Sequence, residues 1–251
     1  MTTRPATTGQ PEVDAALVAA ARAARAAVLA RIAAACATAG RSPADVTLVA
    51  VSKTVPVDRI RAAVSAGLDV LGENRVQEAA AKIPSIPGAT WHLVGPLQAN
   101  KARRAVELFD VIESVDSVEL ARRLDRLAAE LRPSRPLPVL LQVNVDADPA
   151  KAGFDPAGLL AALPALAGLA ALDLTGLMTI GRLVATPEAA RPTFAALRRL
   201  SEAARARTER IGPGLSMGMT DDYPAAVEEG ATIVRIGRAL FGERPPGPAA
   251  R

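Results

Sequence analysis

Lys53 follows the apolar run Leu48–Val51 and is the residue whose type and position most strongly indicate chemistry. Of the 30 lysines and arginines in the chain only four are lysines, so arginine supplies the general surface charge. Arginine stays protonated and cannot form an imine, whereas desolvation of a lysine favours its neutral, nucleophilic amine. The residues therefore indicate an imine-forming lysine. A lysine that extends from a strand end into solvent is the open alternative.

Two loops rich in small residues, within Gly214–Asp222 and Val234–Ala239, are candidates for holding a phosphate. Ser216 and Gly237 would let an anion approach backbone N–H groups closely. Asp221 and Asp222 do not suit an anion, and we expect them to cap the helix that follows. One such loop alone is weak evidence, whereas two of them together with a strand-end lysine indicate a phosphate site.

Three further polar residues lie near predicted strand ends, and each has two interpretations. Asn74 could reach inward as donor and acceptor or cap a helix. His92, the only histidine, is expected to be a hydrogen-bonded core residue, and no metal site is expected. Lys151 could serve the site or simply carry surface charge.

The elements that must position these residues alternate regularly along the chain. Apolar positions at steps of three and four predict a long first helix that ends at Gly40. Eight short apolar runs follow, and polar turns and helical patterns separate them. These predicted strands are Thr47–Ser52, Leu68–Leu71, Trp91–Gly95, Val111–Ser114, Val139–Val145, Leu172–Ile180, Leu215–Met217 and Thr232–Ile236.

Strands that alternate with helices pair in parallel, because a parallel neighbour requires a crossover. Eight strands with seven intervening helices predict an α/β fold, a single (β/α)8 TIM-type barrel with an extra N-terminal helix. A doubly wound open sheet is the rival. We expect the barrel over residues 12–243, a flexible N-terminus over 1–11 and a flexible tail over 244–251.

Composition excludes several classes of function. The net charge is +4, but no block of like charges indicates a nucleic-acid surface. The single cysteine, Cys36, fits a reducing compartment. No apolar run has the length of a signal peptide or a membrane span. The sequence therefore predicts a cytoplasmic protein with no membrane or nucleic-acid partner.

Several motifs together resemble the YggS/PROSC family, the pyridoxal phosphate (PLP) homeostasis proteins. They occur in the family's order from about residue 46 to 243. The matching stretches are Ala50–Thr54, Gly72–Asn74, Val76–Glu78, Trp91–His92, Leu97–Gln98, Asn100–Lys101, Gly176–Met178, Ser216–Met219, Val234–Gly237 and Phe241–Gly242.

The resemblance implies a barrel like the N-terminal domain of alanine racemases, with PLP as the cofactor. It implies that Lys53 forms the Schiff base and that Arg235 faces the pyridine nitrogen. Ser216, Gly237 and the backbone N–H of Arg238 would hold the phosphate, and Asn74 would line the site. Lys151 matches a family lysine linked to cofactor exchange. Val55, Thr220 and Arg238 depart from the residues that many relatives carry.

The resemblance also implies a function, a carrier or regulator in intracellular PLP homeostasis without strong catalysis of its own. Its partners would be PLP and PLP-dependent apoenzymes, and the protein would be a monomer or weak homodimer. A racemase would need a second base, commonly a tyrosine from another domain, whereas the only tyrosine here, Tyr223, begins a predicted helix. An amino-acid racemase-like enzyme and a cofactor-free Schiff-base lyase are the alternatives.

Overall fold

A computed structural model of the protein describes residues 13–182 and 184–243. The ends predicted to be flexible, 1–11 and 244–251, lie outside the described residues. Eight parallel strands close into a barrel in which each strand pairs with its neighbours in the chain and β1 pairs with β8. The strands are β1 Thr47–Val51, β2 Val70–Glu73, β3 Thr90–Leu93, β4 Val111–Val115, β5 Leu137–Gln142, β6 Leu172–Met178, β7 Ile211–Ser216 and β8 Ile233–Ile236. The predicted TIM-type barrel is confirmed, and the open sheet is wrong.

Helices surround the barrel, and all eight predicted strands are present with ends shifted by a few residues. The helices are α1 Ala15–Thr38, α2 Val57–Ser65, α3 Val76–Lys82, α4 Ala102–Leu108, α5 Val118–Leu131, α6 Pro156–Ala167, α7 Pro187–Arg205, α8 Tyr223–Glu228 and α9 Arg238–Phe241. The cap of α7 is Thr186, whose hydroxyl accepts from the Ala189 N–H. The cap of α5 is Ser117.

The first helix is the extra element that precedes the barrel. Asp14 caps it by accepting from the Ala16 N–H, and its face at Val28, Ile32 and Cys36 is buried. It packs on α2, α8 and α9, so it lies across the seam where the first strand meets the last. The apolar spacing of the sequence therefore identified this helix, and the structure shows that it packs on its own barrel, outside the seam.

Two long-range arginine bonds strengthen the same seam. The Arg41 guanidinium donates to the Val227 carbonyl at 2.7 Å, and Arg59 donates to the Phe241 carbonyl at 2.6 Å. Arg41 therefore links the segment before β1 to α8, and Arg59 links α2 to α9.

Alternating strand residues fill the inside of the barrel. Val49, Val51 and Val94 form an apolar cluster that is separate from the larger core between barrel and helices. Gly72 fits against this cluster, because a Cβ there would lie 2.8 Å from Val49 Cγ1. Gly72 therefore serves close packing within β2. Lys53 follows Val49 and Val51 at a spacing of two and lies in the turn at the end where the strands finish.

Candidate functional site

Lys53 lies in the turn directly after β1, half-buried at the carboxyl end of the barrel. The next residue, Thr54, has a φ of 64°, an uncommon value for a β-branched side chain. Barrels of this type carry their functional groups in the loops at this end. The predicted amine is therefore presented from a sharply turned, strained segment.

A buried lysine, Lys82 of α3, supports this turn from the outer side of the barrel wall. Its ammonium donates to the Ser52 carbonyl at 2.7 Å and to Glu73 and Glu78 carboxylates at 2.7 and 2.6 Å. Glu78 in turn accepts from the Thr54 N–H at 2.5 Å. Lys82 is thereby connected to the backbone on both sides of Lys53.

Burial affects the ionisation of Glu73, one of the two carboxyl groups that contact Lys82. Burial raises the pKa of the Glu73 carboxyl, and the contacts from Lys82 and Ser52 only partly offset it. Glu73 is fully buried, and its second oxygen, Oε2, has no hydrogen-bond partner among the described residues. The carboxylate therefore depends on Lys82 and on the Ser52 hydroxyl, which donates to it at 2.8 Å.

Arg235 of β8 projects into the barrel and is 5 % exposed. Its guanidinium donates to the Ser216 hydroxyl at 2.5 Å and to the Thr179 carbonyl at 2.8 Å. Burial lowers the pKa of Arg235, while Glu113 and Asp222 act in the opposite direction. A guanidinium has five N–H donors, so this fixed group retains donors for an acceptor inside the barrel mouth.

Behind Ser216 lies a fully buried carboxylate, Glu113 of β4. Ser216 donates to Glu113 Oε2 at 2.5 Å, and His92 Nδ1 lies 2.6 Å from Glu113 Oε1. Burial raises the pKa of Glu113, but the contacts with His92, Arg235 and Ser216 outweigh it, so the net pKa is lowered. His92 is thus a hydrogen-bonded core residue, as predicted.

Asn74 lies after β2, in a loop that passes very close to the loop after β3. A Cβ on Gly95 would lie 2.4 Å from the Asn74 carbonyl oxygen, so glycine is required for this approach. The N-cap of α3 is Arg75, and Asn74 makes no capping bond. The helix-capping alternative for Asn74 is therefore wrong, and the residue stays a candidate for lining the site.

The two small-residue loops meet beside β1. A Cβ on Gly237 would lie 3.4 Å from the Val51 carbonyl oxygen, which places this loop next to the strand that carries Lys53. Gly237 caps the short helix α9, whose first N–H groups have no intrahelical acceptor. The Thr220 hydroxyl lies 3.4 Å from the Ala239 N. These groups form a small donor-rich surface.

The side chain of Arg238 is exposed and pairs with Asp221 and Glu243. Only its backbone N–H therefore belongs to the loop surface. Asp222 occupies the N-cap of α8 as expected, but its carboxylate accepts from the Met219 N–H and makes no bond into the helix.

The remaining sequence candidates make no hydrogen bond to Glu113, Ser216 or Arg235 within the part of the chain that the structure describes. Lys151 donates to the Gly181 carbonyl at 2.8 Å and joins two loops at the barrel mouth. Val55 is buried in the outer core. Tyr223 is fully buried under Arg31, whose guanidinium carbon lies 5.0 Å from the ring centre, so it is not a base facing the barrel mouth.

No group of three or more metal-ligating side chains occurs among residues 13–182 and 184–243. In the same part of the chain, no helix combines the length and apolar character needed to cross a bilayer.

Sequence reasoning missed Glu113, Glu73 and Lys82. Glu113 contacts a residue 103 positions away, and no local pattern reveals such a partner. The available signal was a carboxylate inside an apolar strand run, since acidic residues are almost never fully buried unless they are paired.

Comparison with known proteins agrees with this geometry. Residues 18–245 match the family model described as alanine racemase, N-terminal domain. A relative from Pseudomonas aeruginosa named pyridoxal phosphate homeostasis protein is 45 % identical over 228 residues, which cover 89 % of this chain and 95 % of the relative. The protein of that name from Escherichia coli K12 is 42 % identical over 224 residues, covering 85 % and 92 % of the two chains.

Solved structures extend the comparison. PipY from Synechococcus elongatus, described with PLP bound, superposes with a TM-score of 0.74 at 46 % identity and covers 84 % of this chain and all of PipY. An alanine racemase from Clostridium difficile superposes at 0.64 with 16 % identity, covering 80 % of this chain and 53 % of its own, which shows the fold alone. The chain belongs to the alanine racemase N-terminal domain family and, within it, to the pyridoxal phosphate homeostasis proteins.

Proposed function

We propose that this protein binds PLP as a Schiff base on Lys53 and acts as a carrier or regulator in intracellular PLP homeostasis, without strong catalysis of its own. The observation that carries the proposal is that Lys53 directly follows β1 and that the neighbouring strand, β8, carries the fixed guanidinium of Arg235. The relatives named for PLP homeostasis and the PLP-bound PipY structure support it.

The residues at this end of the barrel suit the three polar parts of the cofactor. Lys53 would bind the carbonyl carbon, and Arg235 would donate to the pyridine nitrogen. The backbone N–H groups of Gly237 and Arg238 would bind the phosphate. Ser216 would contribute by holding Arg235, since its hydroxyl is already engaged with Arg235 and Glu113. Asn74 would line the ring.

The same groups favour holding PLP over using it in catalysis. When bound, PLP supplies an electron sink whose strength depends on protonation of the ring nitrogen. A guanidinium donor keeps that nitrogen unprotonated and weakens the sink. Among the residues described, the chain's single tyrosine is buried away from the barrel mouth. We therefore propose a carrier or regulator that holds PLP. We also propose that the protein is cytoplasmic, that it is a monomer or weak homodimer, and that PLP-dependent apoenzymes are its partners.

The test is the visible absorbance of the purified protein with added PLP. Wild type should show a Schiff-base band, and both Lys53→Ala and Lys53→Arg should lose it. The arginine variant retains the charge but cannot form an imine. Lys151→Ala is the matched control and should keep the band. A band that persists in Lys53→Ala would overturn the assignment, and no band in wild type would favour the lyase alternative.

A second measurement separates carrier from enzyme. The holoprotein is incubated with L-amino acids in deuterated water, and α-proton exchange is followed by NMR. We expect exchange no faster than with free PLP. Exchange at enzymatic rates would establish the racemase-like alternative.

Delivery of PLP is tested by mixing the holoprotein with a PLP-dependent apoenzyme. The holoprotein should activate the apoenzyme, and activation should fail with Lys53→Ala treated identically.

A further inference from the structure

The buried carboxylate of Glu113 lies at the centre of the polar contacts inside the barrel. Through Ser216 it reaches Arg235, and through its other oxygen it reaches His92. Its distance to the Arg235 guanidinium is 3.9 Å, so the two charges face each other across a single hydroxyl. Four strands, β3, β4, β7 and β8, are thereby joined by one carboxylate.

The hydrogen-bond directions in this group follow from the donors and acceptors present. A guanidinium has no acceptor, so the Ser216 oxygen must accept from Arg235. The hydroxyl proton must then point to Glu113, because an ionised carboxylate only accepts. Glu113 thus determines which way the Ser216 hydroxyl points, and Ser216 determines where one arm of Arg235 lies.

The negative charge of Glu113 also acts directly on the buried guanidinium of Arg235. Burying an unpaired guanidinium is costly, and Glu113 is the fully buried carboxylate beside it. The charged groups acting on Arg235 from neighbouring elements are Glu113 on β4 and Asp222 before α8. His92 on β3 is the other partner of Glu113. With Glu113 ionised, the ring-nitrogen end of the site is a strong donor with little net charge.

We propose that Glu113 is a positioning residue for the cofactor site, which orients Arg235 through Ser216 and balances its charge. The inference rests on the proposed function, because it assigns a role only if Arg235 faces the ring of PLP bound on Lys53. Glu113 itself does not touch the cofactor. Its effect should be on the electrostatics of the Schiff base and not on whether the Schiff base forms.

The test is a pH titration of the visible bands in PLP-loaded wild type and Glu113→Gln. Glutamine keeps the shape of the side chain and removes its negative charge, so the positive charge of Arg235 is less compensated. A nearby uncompensated cation disfavours protonation, so the proton affinity of the Schiff-base nitrogen should fall about tenfold in Glu113→Gln. Ser114→Ala is the control: it removes a neighbouring buried hydroxyl that has no hydrogen-bond partner among the described residues, and it should leave the titration midpoint unchanged.

Each outcome separates this inference from the proposed function. A folded Glu113→Gln variant with a Lys53-dependent band and the wild-type midpoint would overturn the role of Glu113 and leave the proposed function standing. Absence of the band in wild type would overturn both. If Glu113→Gln does not fold, Ser216→Ala is titrated instead. It keeps both charges and removes the hydroxyl that holds one arm of Arg235, so the midpoint should move away from the wild-type value, and an unchanged midpoint there overturns the inference.

Discussion

Replacing Lys82 by methionine should destabilise the protein far more than an ordinary loss of a surface charge. The side chain of Lys82 is only 9 % exposed, that of Glu73 is fully buried, and 2.7 Å separates Lys82 Nζ from Glu73 Oε1. Methionine keeps the length and apolar stem but leaves the Glu73 charge with only the Ser52 hydroxyl. Removing one partner of a buried ion pair costs about 3–5 kcal/mol. We expect a loss of that size in the free energy of unfolding.

The assay is urea-induced unfolding followed by fluorescence of Trp91, the only tryptophan, which is buried in β3. Arg103→Met is the control, since Arg103 pairs with Glu130 in solvent and its loss should barely move the midpoint. Binding of PLP should weaken in Lys82→Met as well, because the Ser52 carbonyl and Thr54 N–H lose their support.

Two results would refute this reasoning. One is a loss of less than about 1 kcal/mol in the free energy of unfolding of Lys82→Met, which is the range found for an exposed ion pair. The other concerns Glu73→Gln added to Lys82→Met, which removes the unpaired charge and should restore part of the stability. No recovery would show that the cost does not come from a stranded carboxylate. Since the pKa of Glu73 is raised, the deficit of Lys82→Met should also shrink as the pH falls towards 4.5.

Two further predictions concern the barrel interior and the Asn74 loop. Gly95→Ala should cost about 1–3 kcal/mol and weaken PLP binding, because its Cβ would meet the Asn74 backbone; Gly168→Ala, whose Cβ has no contact closer than 3.8 Å, should do neither. Equal urea midpoints for the two variants would contradict this. The lowered pKa of Glu113 means that its contribution to stability is present above 4.5 and is lost as the pH falls through the lower folded value. The stability difference between wild type and Glu113→Gln, measured in urea at a series of pH values, should therefore narrow on acidification, and a constant difference would argue against an ionised Glu113.

The strands and the position of Lys53 were predictable because both depend on local pattern. Alternating strands and helices indicate a parallel sheet, and the count of eight strands favours its closure into a barrel. A lysine after an apolar run then falls at the strand end. The side-chain roles around that lysine were not predictable from pattern. Asn74 has the residue type of a helix cap, yet the structure places it one residue too early.

The residues that support the site could not be predicted from the sequence, and the reason is physical. Lys82 ends an ordinary amphipathic helix, and its burial depends on Glu73 and Ser52 meeting it from other elements. A lone charged residue in a sequence gives no indication that its partner will arrive from another strand. Buried ion pairs are specified by the assembled fold, whereas apolar periodicity is specified by each element alone.

The helix that closes the seam has a consequence for the order of synthesis. During translation α2, one of the helices that pack on α1, follows it closely, but the other two, α8 and α9, emerge about 200 residues later. At roughly 5–20 residues per second, the part of α1 that packs on α8 and α9 would stay uncovered for about 10–40 seconds. The nascent chain therefore exposes part of this helix until α8 and α9 arrive, and during that interval the uncovered surface is open to misassembly or to chaperones.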